Sequence, residues 1–159
     1  MKKAAEKTNV MRILYSKKVD YKEFTYNPDA TLSGKEISYI LGEKPEMVFK
    51  TLVTVGKTNN HYVFLVPVEK ELDLKKAASA VNEKYVEMIK SKDLLSTVGY
   101  VHGGCSPIGM KKNFVTVMDK SAEKFQSIIF SAGKIGFQVE VSIKELRKVL
   151  DFTMYDIVK

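Results

Sequence analysis

The chain has 159 residues, 45% of them hydrophobic, a length that fits one domain with a single substantial core and excludes two ordinary ones. No apolar run approaches membrane-spanning length, and the N-terminal MKKAAEKTNV leads into an amphipathic segment instead of the apolar core of a signal peptide, so a soluble, cytoplasmic protein with no membrane partner is expected. One cysteine and two scattered histidines exclude an internal disulfide and a Cys/His metal cluster, while a net charge of +7 and a pI near 9.3 suit a polyanionic partner and equally a plain solvated lysine surface.

Asn9 to Lys17 reads as a first helix capped by Thr8, with Val10, Ile13 and Leu14 at helical spacing and a face that should pack on a sheet. Tyr21 to Tyr26 is extended and ends at the turn residues Asn27-Pro28-Asp29. Ser33 and Glu36 then form a capping-box pattern for a helix through Ile37, Ile40 and Leu41, stopped at Gly42. Pro45 opens a short helical turn, followed by a strand from Phe49 to Val55. A turn over residues 56–60 reverses the chain into the β-prone run His61 to Val68, making an antiparallel hairpin. A helix starting near Asp73 is expected to bury Leu74, Ala77, Ala78 and Val81. Tyr85 to Met88 is a short strand and Lys92 to Leu95 a short helix. Phe114 to Met118, Ile128 to Phe130 and Phe137 to Val141 read as strands, with a helical turn at Ala122 to Phe125 and a glycine-bearing interruption at Ser131 to Gly136. Ser142 and Glu145 repeat the capping-box spacing for a helix to Leu150, and Phe152 to Ile157 is expected to close the sheet. Strands outnumber long helices. The pattern predicts one α+β domain over residues 1–159, a mixed, mostly antiparallel sheet curled into a barrel-like core with flanking helices.

The segment most suggestive of chemistry is GYVHGGCSPIGMKK, residues 99–112, nearly uncharged until its terminal Lys-Lys pair. Closely spaced glycines let backbone N–H groups approach a ligand, and proline fixes one corner of the loop. On its residues alone the loop reads equally as an ordinary surface turn. Lys50, at a strand start, lies on the opposite face from Phe49 and Thr51 and, without further context, snorkels to solvent. Cys105 and His102 invite a nucleophile reading. Loop neighbours three apart need not face each other, however, and no Asp or Asn is marked to orient the histidine, so Cys105 is read as a small loop or pocket side chain. His102 and His61 read as structural or surface residues. Lys75 and Lys76 are either phosphate contacts or the solvated face of a helix.

The motifs VFKTLV (Val48 to Val53), LDLKKAA (Leu72 to Ala78), GYVHGGCSPIGMKK and SAGKIG (Ser131 to Gly136), in this order and spacing, resemble the YbaK/EbsC family of free-standing aminoacyl-tRNA deacylases. The resemblance spans nearly the whole chain. It implies the fold of the prolyl-tRNA editing domain and an enzyme that, in trans, clears cysteine from Cys-tRNA(Pro), with Cys-tRNA(Cys) as a second substrate. The implied course is lyase-like, in which the substrate's own thiol attacks its ester and expels the tRNA. It also implies Lys50 as the catalytic lysine, and Gly103 and Gly104 as the loop whose amides receive the ester carbonyl. Tyr26, Thr51, Cys105, Ser106, Pro107, Ser131, Ala132 and Gly133 would line the aminoacyl pocket. Lys111 and Lys112 would track the tRNA. The implied partners are the cysteinylated acceptor end of tRNA(Pro) and, transiently, prolyl-tRNA synthetase; no cofactor and no metal are implied. One departure stands out, since the family often has an acidic residue where this chain has Gln138. Two other readings stay open: a deacylase for another small aminoacyl group such as alanine, and a non-catalytic tRNA-binding or regulatory module.

Overall fold

In a computed structural model of the protein, residues 7–29 and 31–159 are described; the reading of the first six residues as lacking a signal core lies outside them. Helix α1 (Asn9–Ser16) starts where Thr8 Oγ1 accepts from the Met11 N–H, and it buries Val10, Met11 and Leu14. Strand β1 (Lys22–Thr25) leads to α2 (Gly34–Ile40), which carries the full Ser33/Glu36 capping box. A 3-10 turn at Pro45–Met47 feeds β2 (Phe49–Gly56), and the hairpin returns as β3 (His61–Pro67). Asp73 caps α3 (Leu74–Ala80), after which come β4 (Val86–Met88) and α4 (Ser91–Val98). Strands β5 (Val115–Asp119), β6 (Ser127–Ser131) and β7 (Phe137–Ser142), the short α5 (Ile143–Leu146) and β8 (Thr153–Tyr155) complete the order.

The strands form two sheets, one of order β1-β7-β6 and one of order β4-β2-β3-β5-β8. The larger is mixed, since β3–β5 and β5–β8 are parallel while the other pairings are antiparallel. A lone parallel bridge, Val48 to Ile129, joins the sheets. The expected barrel is therefore corrected: no sheet closes on itself. The edge strands, β1 and β6 of the smaller sheet and β4 and β8 of the larger, form no ladder with one another; the two sheets instead bury their apolar faces against each other, which satisfies the core without closure. The last strand accordingly ends the sheet at an edge.

The main core lies between the sheets, where Phe49, Val53, Val63, Leu65 and Met118 meet Ile128, Phe130, Val139 and Val141, with α1 packed in. A second cluster covers the other face of the larger sheet, where Ala77 and Ala78 of α3 sit on Phe64, Val66 and Val117. Leu74, expected inside, is 40% exposed, because it lies in the first turn of α3 on the face turned from the sheet. The helix predicted to reach Leu150 stops at Leu146. Among the described residues no helix is long and apolar enough to cross a membrane.

Candidate functional site

The bridge between the sheets positions Lys50. Strands β2 and β6 run in the same direction from Val48 and Ile129, so Lys50 and Ser131, each two residues further, point to the same face. Ser131 is in turn paired with Gln138 on β7, and Gln138 with Phe24 on β1. One row thus carries Lys50, Ser131 and Gln138 across the junction. Lys50 is half-buried, and burial lowers its ammonium below the usual lysine range while the Glu71 carboxylate opposes that shift. Thr51 faces the main core with Phe49, and its buried Oγ1 has no hydrogen-bond partner among the described residues.

Beyond Ser131 the chain turns through Gly133 to Gly136, and the loop over residues 99–109 lies against this turn. A side chain at Gly104 would stand 3.1 Å from the Ile135 backbone nitrogen, so that stretch of loop rests flat on the turn. Val101 to Gly104 is a β-turn closed by Gly104 N–H donating to the Val101 carbonyl at 3.0 Å, with Gly103 at φ +87°, the value a type II turn requires of its third residue. The Gly104 amide is therefore committed, whereas the N–H groups of Gly103, Cys105 and Ser106 donate to nothing among the described residues. Tyr100 holds the loop by donating its hydroxyl to the Ile108 carbonyl. A cleft of about 440 Å³ opens between Tyr100 and Val101 on one side and Gly133, Lys134 and Ile135 on the other, with Pro28 completing it. Lys50 is not among its walls.

From Cys105 to Ile108 the loop side chains are buried, whereas Val101 and His102 are exposed. Cys105 is buried in the main core, and burial pushes its thiol up to about 12, so it carries essentially no thiolate at neutral pH. Ser106 is fully buried with its Oγ accepting from the Ile108 N–H at 3.4 Å; Pro107 is buried beside it. Ala132 is also fully buried, and its N–H donates to the Phe137 carbonyl at 3.0 Å, so it supports the turn from beneath and exposes no surface of its own. Tyr26 joins the turn by donating its N–H to the Gly136 carbonyl at 3.0 Å. The structure thus gathers Tyr26, Gly103, Gly104, Ser131 and Gly133 around one turn. Lys50 approaches it along the sheet. Lys111 donates Nζ to the Ser96 carbonyl at 3.2 Å and lies along Gly99, whereas Lys112 is exposed at a separate hollow. Lys76 is engaged by Asp156 and the Val158 carbonyl.

Two residues were not anticipated. Tyr100 could have been singled out as an aromatic inside a glycine loop. Glu43 gives no local signal, since a glutamate after a helix-ending glycine reads as solvated. With its amide oriented by its partners, Gln138 donates to Glu43 at 2.7 Å to Oε2 and 3.2 Å to Oε1, so a carboxylate from the end of α2 stands beside the row. Burial, and then the Glu140 carboxylate, push the Glu43 carboxyl up to about 7. Glu140 accepts from Ser127 Oγ at 2.5 Å. Among the described residues no group of three or more His, Cys, Asp or Glu side chains could hold a metal ion.

Residues 29–149 match the family model described as the aminoacyl-tRNA editing domain. The chain is 46% identical over 142 residues to a protein of Enterococcus faecalis named, provisionally, a Cys-tRNA(Pro)/Cys-tRNA(Cys) deacylase, EbsC; the match covers 89% of this chain and 87% of that one. It is 27% identical over 89 residues to a proline–tRNA ligase of Fervidobacterium nodosum, a match covering 56% of this chain and 15% of the ligase. A crystal structure titled as a provisionally assigned trans-editing enzyme for prolyl-tRNA synthetase superposes with a TM-score of 0.81 at 21% identity, covering 97% of this chain and 99% of that one, a likeness of fold.

Proposed function

The chain belongs to the aminoacyl-tRNA editing domain family, and from that premise we propose that it is a trans-editing deacylase that removes cysteine from Cys-tRNA(Pro), with Cys-tRNA(Cys) as a second substrate. The observation that carries this reading is the 46% identity, over 89% of the chain, to the Enterococcus faecalis protein of that name. A cytoplasmic protein that meets prolyl-tRNA synthetase transiently fits the reading, and the partial match to a proline–tRNA ligase supports it.

The chemistry needs little from the protein beyond placement. The substrate thiol loses its proton to solvent and attacks the ester carbonyl. The new C–S bond forms as the C–O bond to the terminal ribose breaks, and the ribose oxygen leaves with a proton. The resulting cyclic thioester then opens in water to free cysteine. The loop N–H groups of Gly103 and Cys105, which have no partner among the described residues, suit the oxygen that gains negative charge, and Lys50 suits the ribose and phosphate side of the ester. The thiol of Cys105, held near 12, is a poor candidate for the attack.

Single-turnover deacylation of cysteinyl, seryl, S-methyl-cysteinyl and alanyl tRNA(Pro) tests this. Cysteinyl ester should be cleaved far faster than seryl ester, which fits the same space with a much weaker nucleophile. Equal rates for cysteine and serine would refute thiol-assisted cleavage; preferential loss of alanine would assign the alanine specificity instead.

A further inference from the structure

The hairpin joining β2 and β3 forms, with the segment entering β5, a hollow of about 480 Å³ that the deacylation chemistry does not use. Its walls are Asn59, Asn60 and His61 on one side and Lys112, Asn113 and Phe114 on the other, brought together because Tyr62 pairs with Val115 in the parallel β3–β5 ladder. No acidic side chain lines it. The His61 and Phe114 rings meet edge to face at 6.3 Å, Val115 beside them is 59% exposed, and the Asn59 and Asn113 side-chain amides bond to nothing among the described residues. Among the described residues Lys112 pairs with no carboxylate, unlike Lys76, and donates to no carbonyl, unlike Lys111. Lys57 adds charge nearby, and its N–H donates to the Tyr85 carbonyl, which brings Lys84 to the same tip.

We infer that this hollow is a second RNA contact, docking a nucleotide of the substrate tRNA away from the aminoacyl end. Amides offer both donors and acceptors to a base edge, ring edges and an exposed valine offer it apolar contact, and an unpaired lysine offers a phosphate partner. An acidic protein segment would satisfy the lysine and leave the amide and ring surface unused. The tip is also preformed: the Glu83 carboxylate accepts from Tyr62 Oη at 2.5 Å and from the Thr58 hydroxyl and N–H, so docking does not have to order the hairpin. His61 pairs with Val55, five residues along β2 from Lys50, which at ~3.3 Å per residue puts the hollow roughly 17 Å from that lysine. A single aminoacyl-adenosine at Lys50 does not reach it, while a tRNA does.

This inference rests on the deacylase reading, and the test separates the two. Binding of uncharged tRNA(Pro) to the parent, Lys112→Ala and the charge-matched control Lys144→Ala is measured by fluorescence anisotropy across a salt series, beside deacylation of cysteinyl-tRNA(Pro) and of cysteinyl-adenosine ester. Lys112→Ala should weaken tRNA binding about 5- to 10-fold at 0.1 M salt and lower the salt slope by about one. It should raise KM for the charged tRNA with kcat held, and leave the adenosine ester unaffected, which a general structural defect would not do. Binding unchanged by Lys112→Ala, an equal loss in Lys144→Ala, or an equal loss on the adenosine ester would overturn the inference. A parent that binds tRNA through Lys112 but cleaves no cysteinyl ester would uphold the contact and sink the deacylase reading instead.

Discussion

Replacing Glu43 by glutamine should make the protein more stable, and only where the parent carboxyl is ionised. Glu43 donates nothing to Gln138; it accepts from that amide while facing Glu140, and its folded pKa is held near 7 against an ordinary 4.5. A carboxyl whose folded pKa is raised binds its proton more tightly when folded, so stability is undiminished below about 4.5, falls as pH rises toward 7, and stays reduced above that. The full gap corresponds to roughly 3 kcal/mol, and screening of a side chain that is only half-buried brings this to about 1 kcal/mol. In Glu43→Gln the amide oxygen still accepts from Gln138 and no charge forms, so that cost disappears. Thermal melts of parent and variant at the same pH should coincide near pH 4.5 and separate by about 2–4 °C in the variant's favour at pH 8. A difference independent of pH, or a variant that is the less stable of the two at pH 8, would refute the electrostatic account of this cluster.

Lys50→Ala should lower kcat/KM on cysteinyl-tRNA(Pro) by about two to three orders of magnitude, the scale of losing one preorganised charged contact, with a melting temperature close to the parent's because the lysine's burial disfavours its charge; deacylation and melting on the same sample check both halves. Gly133→Ala puts a Cβ 2.9 Å from Tyr100 Cε1 and 3.0 Å from Val10 Cγ2 at φ +89°, so it should cost about 2–4 kcal/mol in a urea titration and slow turnover by displacing the loop that Tyr100 anchors.

Much of the architecture is written in short-range contacts and could be read directly. The Thr8 cap, the Ser33/Glu36 box, the turn at Pro45 and the β2–β3 hairpin each depend on residues a few positions apart, and each is present. The glycine loop and the Ser131–Gly136 turn were likewise visible as composition, and the motifs they carry marked the family. What the sequence alone could not decide is how strands meet across long separations. Division into two sheets joined by one bridge, in place of a barrel, depends on which edges pair, and alternation along a strand is the same in either arrangement. The committed Gly104 amide follows from the turn geometry, and the inward Cys105 and exposed Leu74 follow from packing around them. The Gln138–Glu43 contact is the clearest case: Gln138 stood out only as a departure from the family pattern and Glu43 not at all, yet they meet, with the Glu43 pKa displaced, because the chain just after α2 lies against the start of β7, and only the folded chain can take water from both at once.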